Sequence, residues 1–396
     1  MKSLGIVARF WLTLVLAACL TVVPLAGATP AAAKTFTVND FGDDPDSDRG
    51  DGVCSTGSVP RKCTLRAATN EANGLPGADV IVVPAGKYDL LAGCLLLADE
   101  VSIEGAGQGK TIVDGTGNDA VFDIEAPGKN VSIMSMTIFR GVSSALQGGG
   151  VNNEASYRTD LISLEIIGNA AEMGGGVFNA ADASMRIESC VIRDNLAAPP
   201  AGGAYGGGVA NFGKLTIVST TISHNHVFAQ GADEASGGGI HSGGPGRLTV
   251  VRSTIAGNLA LSPAGSAYGG GISADGLATL EVTDTGIKNN QAKSAAADAG
   301  VEVHGGGIYS RDVATGTVQG TDIAGNSVFS LLTPAASRGG GIAVVSLAAP
   351  TVVTLQGQSS LTGNRSNSTG TGAYYRQDAT SLVLDADTKV QGNLPK

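Results

Sequence analysis

The chain has 396 residues, and its Gly 59 and Pro 14 keep it below the roughly 25–30% Gly plus Pro of low-complexity disorder, so it is expected to fold. Hydrophobic residues make up 42% but aromatics only 4%, so the core must come from Val, Ile, Leu and Ala, which is unusual for a two-layer domain of this size. The formal net charge of -10, with no basic patch to offset it, argues against nucleic acid as a partner.

Residues 1–28 read as an export signal: Lys2 and Arg9 supply the positive end, an apolar run follows from Phe10 to Leu25, and Ala26-Gly27-Ala28 is an A-x-A cleavage site. Ala31-Ala32-Ala33 offers a second site. Leu16-Ala17-Ala18-Cys19 also fits a lipobox in which Cys19 would be acylated, but the apolar run continues past it through Val22 and Val23. Cleavage after 28 or 33, giving a secreted or cell-surface chain, is therefore preferred to lipid anchoring. No later apolar stretch is long enough to span a bilayer.

Residues 35–78 form an N-terminal unit of their own. A strand over 35–39 precedes an acidic Gly-rich loop, and a helix is expected over 65–73 with Thr64 as N-cap and Gly74 just past its end. Cys54 and Cys63 stand nine positions apart in a Gly/Ser/Pro loop of an exported chain, which predicts a disulfide, the alternative being two free thiols. Cys94 and Cys190, on separate strand-like segments, read as buried thiols, and no C-x-x-C or clustered His points to zinc. Asp44, Asp46 and Asp48 have the alternate spacing of calcium-loop ligands, although Gly comes one place late and no Glu follows at the twelfth position. They are a candidate calcium site, to be weighed against a solvated acidic loop. No other cofactor is expected. Gly105 to Thr111 imitates a phosphate-binding loop but lacks its first Gly, where Glu104 stands, so it reads as a turn between Ile103 and Ile112.

From residue 79 onward the chain repeats. Gly-Gly-Gly followed by Val or Ile occurs at 148–151, 174–177, 206–209, 237–240, 269–272, 305–308 and 339–342, at spacings of 26, 32, 31, 32, 36 and 34. An aliphatic residue three before an Asn keeps step with it: Ile166/Asn169, Ile192/Asn195, Ile222/Asn225, Ile255/Asn258, Ile287/Asn290, Ile323/Asn326, Leu361/Asn364 and Val390/Asn393. Short alternating segments such as Leu215-Thr216-Ile217 lie between the two marks. Three short strands per unit, stacked at about 4.8 Å, describe a right-handed parallel β-helix with aliphatic columns inside and an Asn hydrogen-bond ladder at one turn. Asn also tolerates the left-handed conformation of sharp turns. The segments 196–205, 226–236, 259–268 and 291–304 are expected to project as loops from one edge, where binding commonly resides.

Chemistry is sparse along this repeat. Counted back from the ladder Asn, Asp194, Asp322, Asp284 and Glu281 fall in four different columns, and Arg252 over Asp284 is the one stacked pair of opposite charges found. Asp233, Glu234, Asp298 and Glu302 lie in the projecting segments and are the carboxylates least excluded from catalysis. His224 and His226 flank Asn225 without a third metal ligand in view, which favours exposed turn histidines. The sole Trp is Trp11, in the leader. Tyr205 and Tyr268 directly precede Gly triplets, and His241 and Tyr309 stand second after them. These four form a candidate binding strip, the alternative being structural tyrosines at strand entries.

The strings TFTVND, DGVC, CTLRAATNEAN and ADVIVVPAGKYDL, within 35–90, resemble the CSLREA domain that begins many exported bacterial β-helix proteins, with Thr64 in place of its Ser and Ala67 in place of its Glu. VSIEGAGQGKTIVDG, 101–115, is similar to the first coils of pectin-lyase-like folds. The Gly-Gly-Gly-Ile and Ile-x-x-Asn pair resembles the GGAI and FxxN repeats of polymorphic membrane proteins, which implies a surface or adhesive role. The expectation is an all-β, pectin-lyase-like right-handed parallel β-helix over 79–396 behind a small cap with one short helix. Its function is expected to be non-enzymatic binding of a glycan or surface protein by a monomer. A polysaccharide lyase or glycoside hydrolase is the alternative, and a passive structural shell the third.

Overall fold

The computed structural model describes residues 32–143, 147–276, 279–296, 300–331, 337–347, 351–367, 372–376 and 382–394. The leader with Cys19, and Asp298, lie outside them. The described chain is an all-β parallel solenoid with one short helix. No described helix is long and apolar enough to cross a membrane.

A middle coil carries five strands instead of the expected three: Ala235–Ser236, Ile240–Gly243, Arg247–Val251, Thr254–Ala256 and Leu259–Ser262. Each pairs in parallel with its counterpart one coil on, as in Ile240↔Ile272, Leu248↔Leu280, Ile255↔Ile287 and Ala260↔Ala292. The two extra rows come from the segments read as loops. Their alternation is carried by small residues, and Ala197, Val227, Ala260, Ala292 and Val328 all turn inward at 0–1% exposure.

Stacking places like residues on like. Ile166, Ile192, Ile222, Ile255, Ile287 and Ile323 form one column with 0% exposure, each contributing about 1.5–3 kcal/mol of burial. The ladder runs beside it. Asn169, Asn195, Asn225, Asn258, Asn290, Asn326 and Asn364 each donate Nδ2 to the Oδ1 of the next Asn at 2.9–3.1 Å, ending on Asn393. The left-handed turn residue is not the ladder Asn but the one before it, including Asp194, His224 and Asn289 at φ 57, 54 and 54. The Asn is fully engaged in hydrogen bonds, so its neighbour makes the bend.

A second ladder, not anticipated, runs from Asn153 through Asn179 and Asn211 to Ser242 at 2.8 Å per step. The Gly triplets are required twice over. Gly237 has φ 73, and a Cβ on Gly238 would stand 2.5 Å from the Gly270 carbonyl oxygen of the next coil.

At the N-terminal end Thr35–Thr37 pairs with Asp79–Val83, and the helix Leu65–Gly74 closes the core with Leu65, Ala67, Ala68 and Ala72. Thr64 caps it, accepting the Ala67 N–H. The helix runs one residue further than expected, through Gly74, with Leu75 as C-cap. Cys54 and Cys63 are joined. Cys190 is buried and free, whereas Cys94 is free but only half-buried, in the turn before Leu95–Leu97.

Candidate functional site

The Gly triplet brings two columns of side chains together, because the chain turns there between two successive strands. The residue before the triplet stacks as Tyr205, Ser236, Tyr268, His304 and Arg338. The second residue after it stacks as Phe178, Ala210, His241, Ser273, Tyr309, Ala343 and Tyr375. All four residues of the candidate strip therefore lie on one face. Tyr205 packs on His241 with ring centroids 4.8 Å apart, and Tyr268 stacks on Tyr309 at 4.5 Å with 18° between planes. His304 joins them at 5.9 Å from Tyr268, 6.0 Å from Tyr309 and 5.5 Å from Tyr375.

Much of this strip is wall. Tyr309, His241 and Tyr268 are only 2%, 4% and 6% exposed, while Tyr205, Tyr375, Arg311, Arg338 and Glu234 are half-buried and reach the surface. Arg311 and Asp275 are register partners one column further along the strand. Arg311 Nε donates to Asp275 Oδ1 at 2.9 Å, and its guanidinium lies 5.9 Å from the rings of both Tyr268 and Tyr309. Ser236 Oγ is hydrogen-bonded both to Ser273 Oγ at 2.8 Å and to His241 Nδ1 at 3.1 Å, so that nitrogen is engaged. Neither nitrogen of His304 has a hydrogen-bond partner.

Burial governs the electrostatics. It pushes His241 down to about 4, against the pull of Asp275, and His304 down to about 3, with Arg338 adding to the effect. It raises Tyr268 to about 12 and Tyr309 further still. Glu234 is held above the usual carboxylate range, again by burial, with Arg311 opposing. The hydrogen bond from Arg311 to Asp275 raises the guanidinium. At neutral pH the strip thus presents neutral imidazoles, protonated phenols, one ion pair and the Arg338 guanidinium. That set suits stacking and hydroxyl recognition.

Five functional neighbours, His304, Arg338, Asp275, Arg311 and Tyr375, are not found by the sequence reading, and Arg338, like His304, directly precedes a Gly triplet. His304 stands directly before the triplet at 305–307, the same position as Tyr205 and Tyr268, so its signal was present. Asp275 and Arg311 both stand fifteen residues before a ladder Asn, outside the stretch counted, and Tyr375 follows no triplet. Arg252 over Asp284 is likewise not the one opposite-charge pair across coils, since Arg193–Glu165, Arg247–Glu281 and Lys288–Asp322 pair at 2.7–2.9 Å. Of the loop carboxylates, Glu302 accepts from Tyr268 Oη at 3.5 Å and Asp233 from the Gly202 N–H at 3.0 Å.

The cap loop is organised around its own backbone. Asp46 accepts the Asp48 N–H at 2.9 Å and the Ser55 N–H at 2.7 Å. Among the described residues, no three His, Cys, Asp or Glu side chains gather to hold a metal. His224 and His226 are both exposed, on either side of buried Asn225.

No family model matches the chain, and no curated protein matches it. Among solved structures it is similar to the Azotobacter vinelandii mannuronan C-5 epimerase AlgE6 A-module, at 17% identity over 90% of this chain and 98% of that one, with a TM-score of 0.27. It is also similar to ORF18 of Geobacillus virus E2, at 12% identity, 91% and 62% coverage and a TM-score of 0.30. The pectate lyase Pel9A is similar at 11% identity, 92% and 80% coverage and a TM-score of 0.31. Likeness at this level carries nothing about activity, and the solenoid stands on its own strand pairings.

Proposed function

We propose that this is an exported, secreted or surface-held protein with a CSLREA-like cap, which binds a glycan or protein partner along the aromatic strip without catalysing a reaction. The observation that carries this reading is the meeting of the two columns at the Gly triplets. Tyr205, Tyr375, Arg311 and Arg338 reach solvent there, backed by the packed rings of His241, Tyr268, Tyr309 and His304. A rigid row of rings at coil spacing matches an extended ligand at little entropic expense. Binding of the secreted chain to a glycan array and to surface-protein extracts tests it. Retention weakened at least tenfold by Tyr205→Ala or Tyr375→Ala supports the strip, and retention unchanged in both variants refutes it.

A second reading has its own observation. Arg311, Asp275 and the raised carboxyl of Glu234 adjoin Tyr268 and Tyr309, a set with acid, base and cation available for cleaving a polysaccharide. Release of new reducing or unsaturated ends, abolished by Glu234→Gln, would establish that reading instead.

A further inference from the structure

We propose that Arg338, Tyr375 and His304 form a subsite for an anionic substituent, a carboxylate or sulfate, of a bound glycan. The inference rests on the binding reading above and adds the chemical class of the ligand.

Arg338 follows His304 directly in the column before the triplets. Its Nη1 donates to Tyr375 Oη at 2.7 Å and its guanidinium lies 4.8 Å from the Tyr375 ring. No carboxylate among the described residues pairs with it, unlike Arg311, whose charge Asp275 neutralises. A guanidinium has five N–H donors, and one hydrogen bond to a phenol leaves most of the fork open for a planar or tetrahedral anion.

His304 supplies an independent observation. It is 2% exposed, and both ring nitrogens lack partners. A buried imidazole with neither donor nor acceptor satisfied is unfavourable, and a ligand oxygen arriving there would relieve it. Tyr375 reaches His304 across the intervening coil because Ala343, which separates Tyr309 from Tyr375 in their column, is small. Arg338 stands on that same coil. The guanidinium, the phenol and the unpartnered imidazole are thus grouped on neighbouring coils.

The remainder of the molecule makes the subsite selective. With a net charge of -10, the chain as a whole repels anions, so an anionic glycan is retained only where a local cation outweighs that field.

The test is a glycan array carrying neutral, carboxylated and sulfated members, probed with the full secreted chain and with Arg338→Gln, Arg338→Lys, His304→Gln and Tyr205→Ala. The expected result is retention on carboxylated or sulfated members, lost at least tenfold in Arg338→Gln, partly kept in Arg338→Lys, weakened in His304→Gln and reduced by added salt. Comparing the two acidic sets identifies which anion is taken. Unchanged circular dichroism and thermal midpoint of Arg338→Gln establish that the loss is not unfolding. If neutral members bind as tightly as acidic ones, and Tyr205→Ala weakens them while Arg338→Gln does not, the anionic subsite is overturned while the strip survives. If the chain binds no member of the array, the glycan reading and the subsite fall together.

Discussion

Asn258 donates its Nδ2 to Asn290 Oδ1 at 2.9 Å, and the same oxygen takes the Asn258 backbone N–H at 3.0 Å. Asn258 Oδ1 in turn accepts both equivalent donors of Asn225. One side chain thus satisfies buried polar groups on two coils, and Leu of similar volume satisfies none. Asn258→Leu is expected to destabilise the solenoid by about 1–3 kcal/mol through the groups left unpaired. An unfolding midpoint equal to that of the wild type would mean that this ladder contributes nothing to stability.

The cap is cross-linked where its acidic loop meets the helix. Cys54 and Cys63 are both nearly buried and join residues nine apart in sequence. Closing so short a loop contributes about 2–3 kcal/mol in the chain-entropy account. Peptide mapping without reductant should recover the two cysteines as one linked species, with Cys94 and Cys190 as thiols. Cys54→Ser with Cys63→Ser should loosen the cap first, seen as faster amide exchange in Leu65–Gly74 while Thr254–Ala256 is unaffected. Equal exchange in the helix with and without the bridge would contradict this.

The repeat was legible because stacked coils force one residue type into one column. Ile255 and Asn258 announce their places by spacing alone, and the same logic located Tyr205, His241, Tyr268 and Tyr309 relative to the Gly triplets. It failed where the count was anchored at only one mark. Asp275 and Arg311 share a column, but it belongs to the strand after the triplet, too far from the ladder Asn for that spacing to mark it. The rows through Ala260 and Ala267 hid for another reason. Small side chains form an inward stripe in a narrow part of the coil, and Ala, Gly and Ser there have the composition of a loop. Glu234 directly precedes the row through Ala267, at the position Ser266 and Glu302 take on the next coils, and is hidden with it.

Acid should weaken the fold through its buried imidazoles. His241 at about 4 and His304 at about 3 stay neutral in the folded chain, whereas an unfolded imidazole titrates near 6.5. The unfolded chain therefore binds more protons below that value. The stability these residues contribute is complete above about pH 6.5 and is lost as the pH falls toward 4 and then 3, at about 1.4 kcal/mol for each unit of separation. His241 is faced by Tyr205, Phe212, Ser236, Asp275 and Arg311, and His304 by Tyr268, Tyr309, Tyr375 and Arg338. Asp123, raised to about 6 chiefly by burial, acts in the opposite sense, because its protonated form is the one the fold favours. The clean readout is the difference between chains. His304→Phe keeps a ring but cannot titrate, so its thermal midpoint should fall less between pH 7 and pH 4.5 than that of the wild type. Equal falls would show that His304 is not held neutral.

The strip should be catalytically silent toward polyuronates. Cleavage by elimination or hydrolysis requires a base able to take a proton, an acid able to return one, and a cation free to stabilise developing charge. Here the Arg311 guanidinium is occupied by Asp275, the open donors of Arg338 adjoin no base that titrates near neutrality, since burial holds His304 down at about 3, and burial raises Tyr268 and Tyr309 so that both stay protonated at neutral pH. His241 is a base too weak to compete with water-exposed imidazole, and its Nδ1 is engaged by Ser236. Of the described loop carboxylates, Asp233 is tied to the Gly202 N–H and Glu302 to Tyr268, which leaves Glu234 as the one among them with a raised affinity for a proton beside the strip. Incubation of the secreted chain with polygalacturonate or alginate, with and without calcium, is expected to release neither unsaturated nor reducing ends. Turnover that disappears in Glu234→Gln but persists in Arg338→Gln would place an acid at Glu234 and replace a binding surface with an active site.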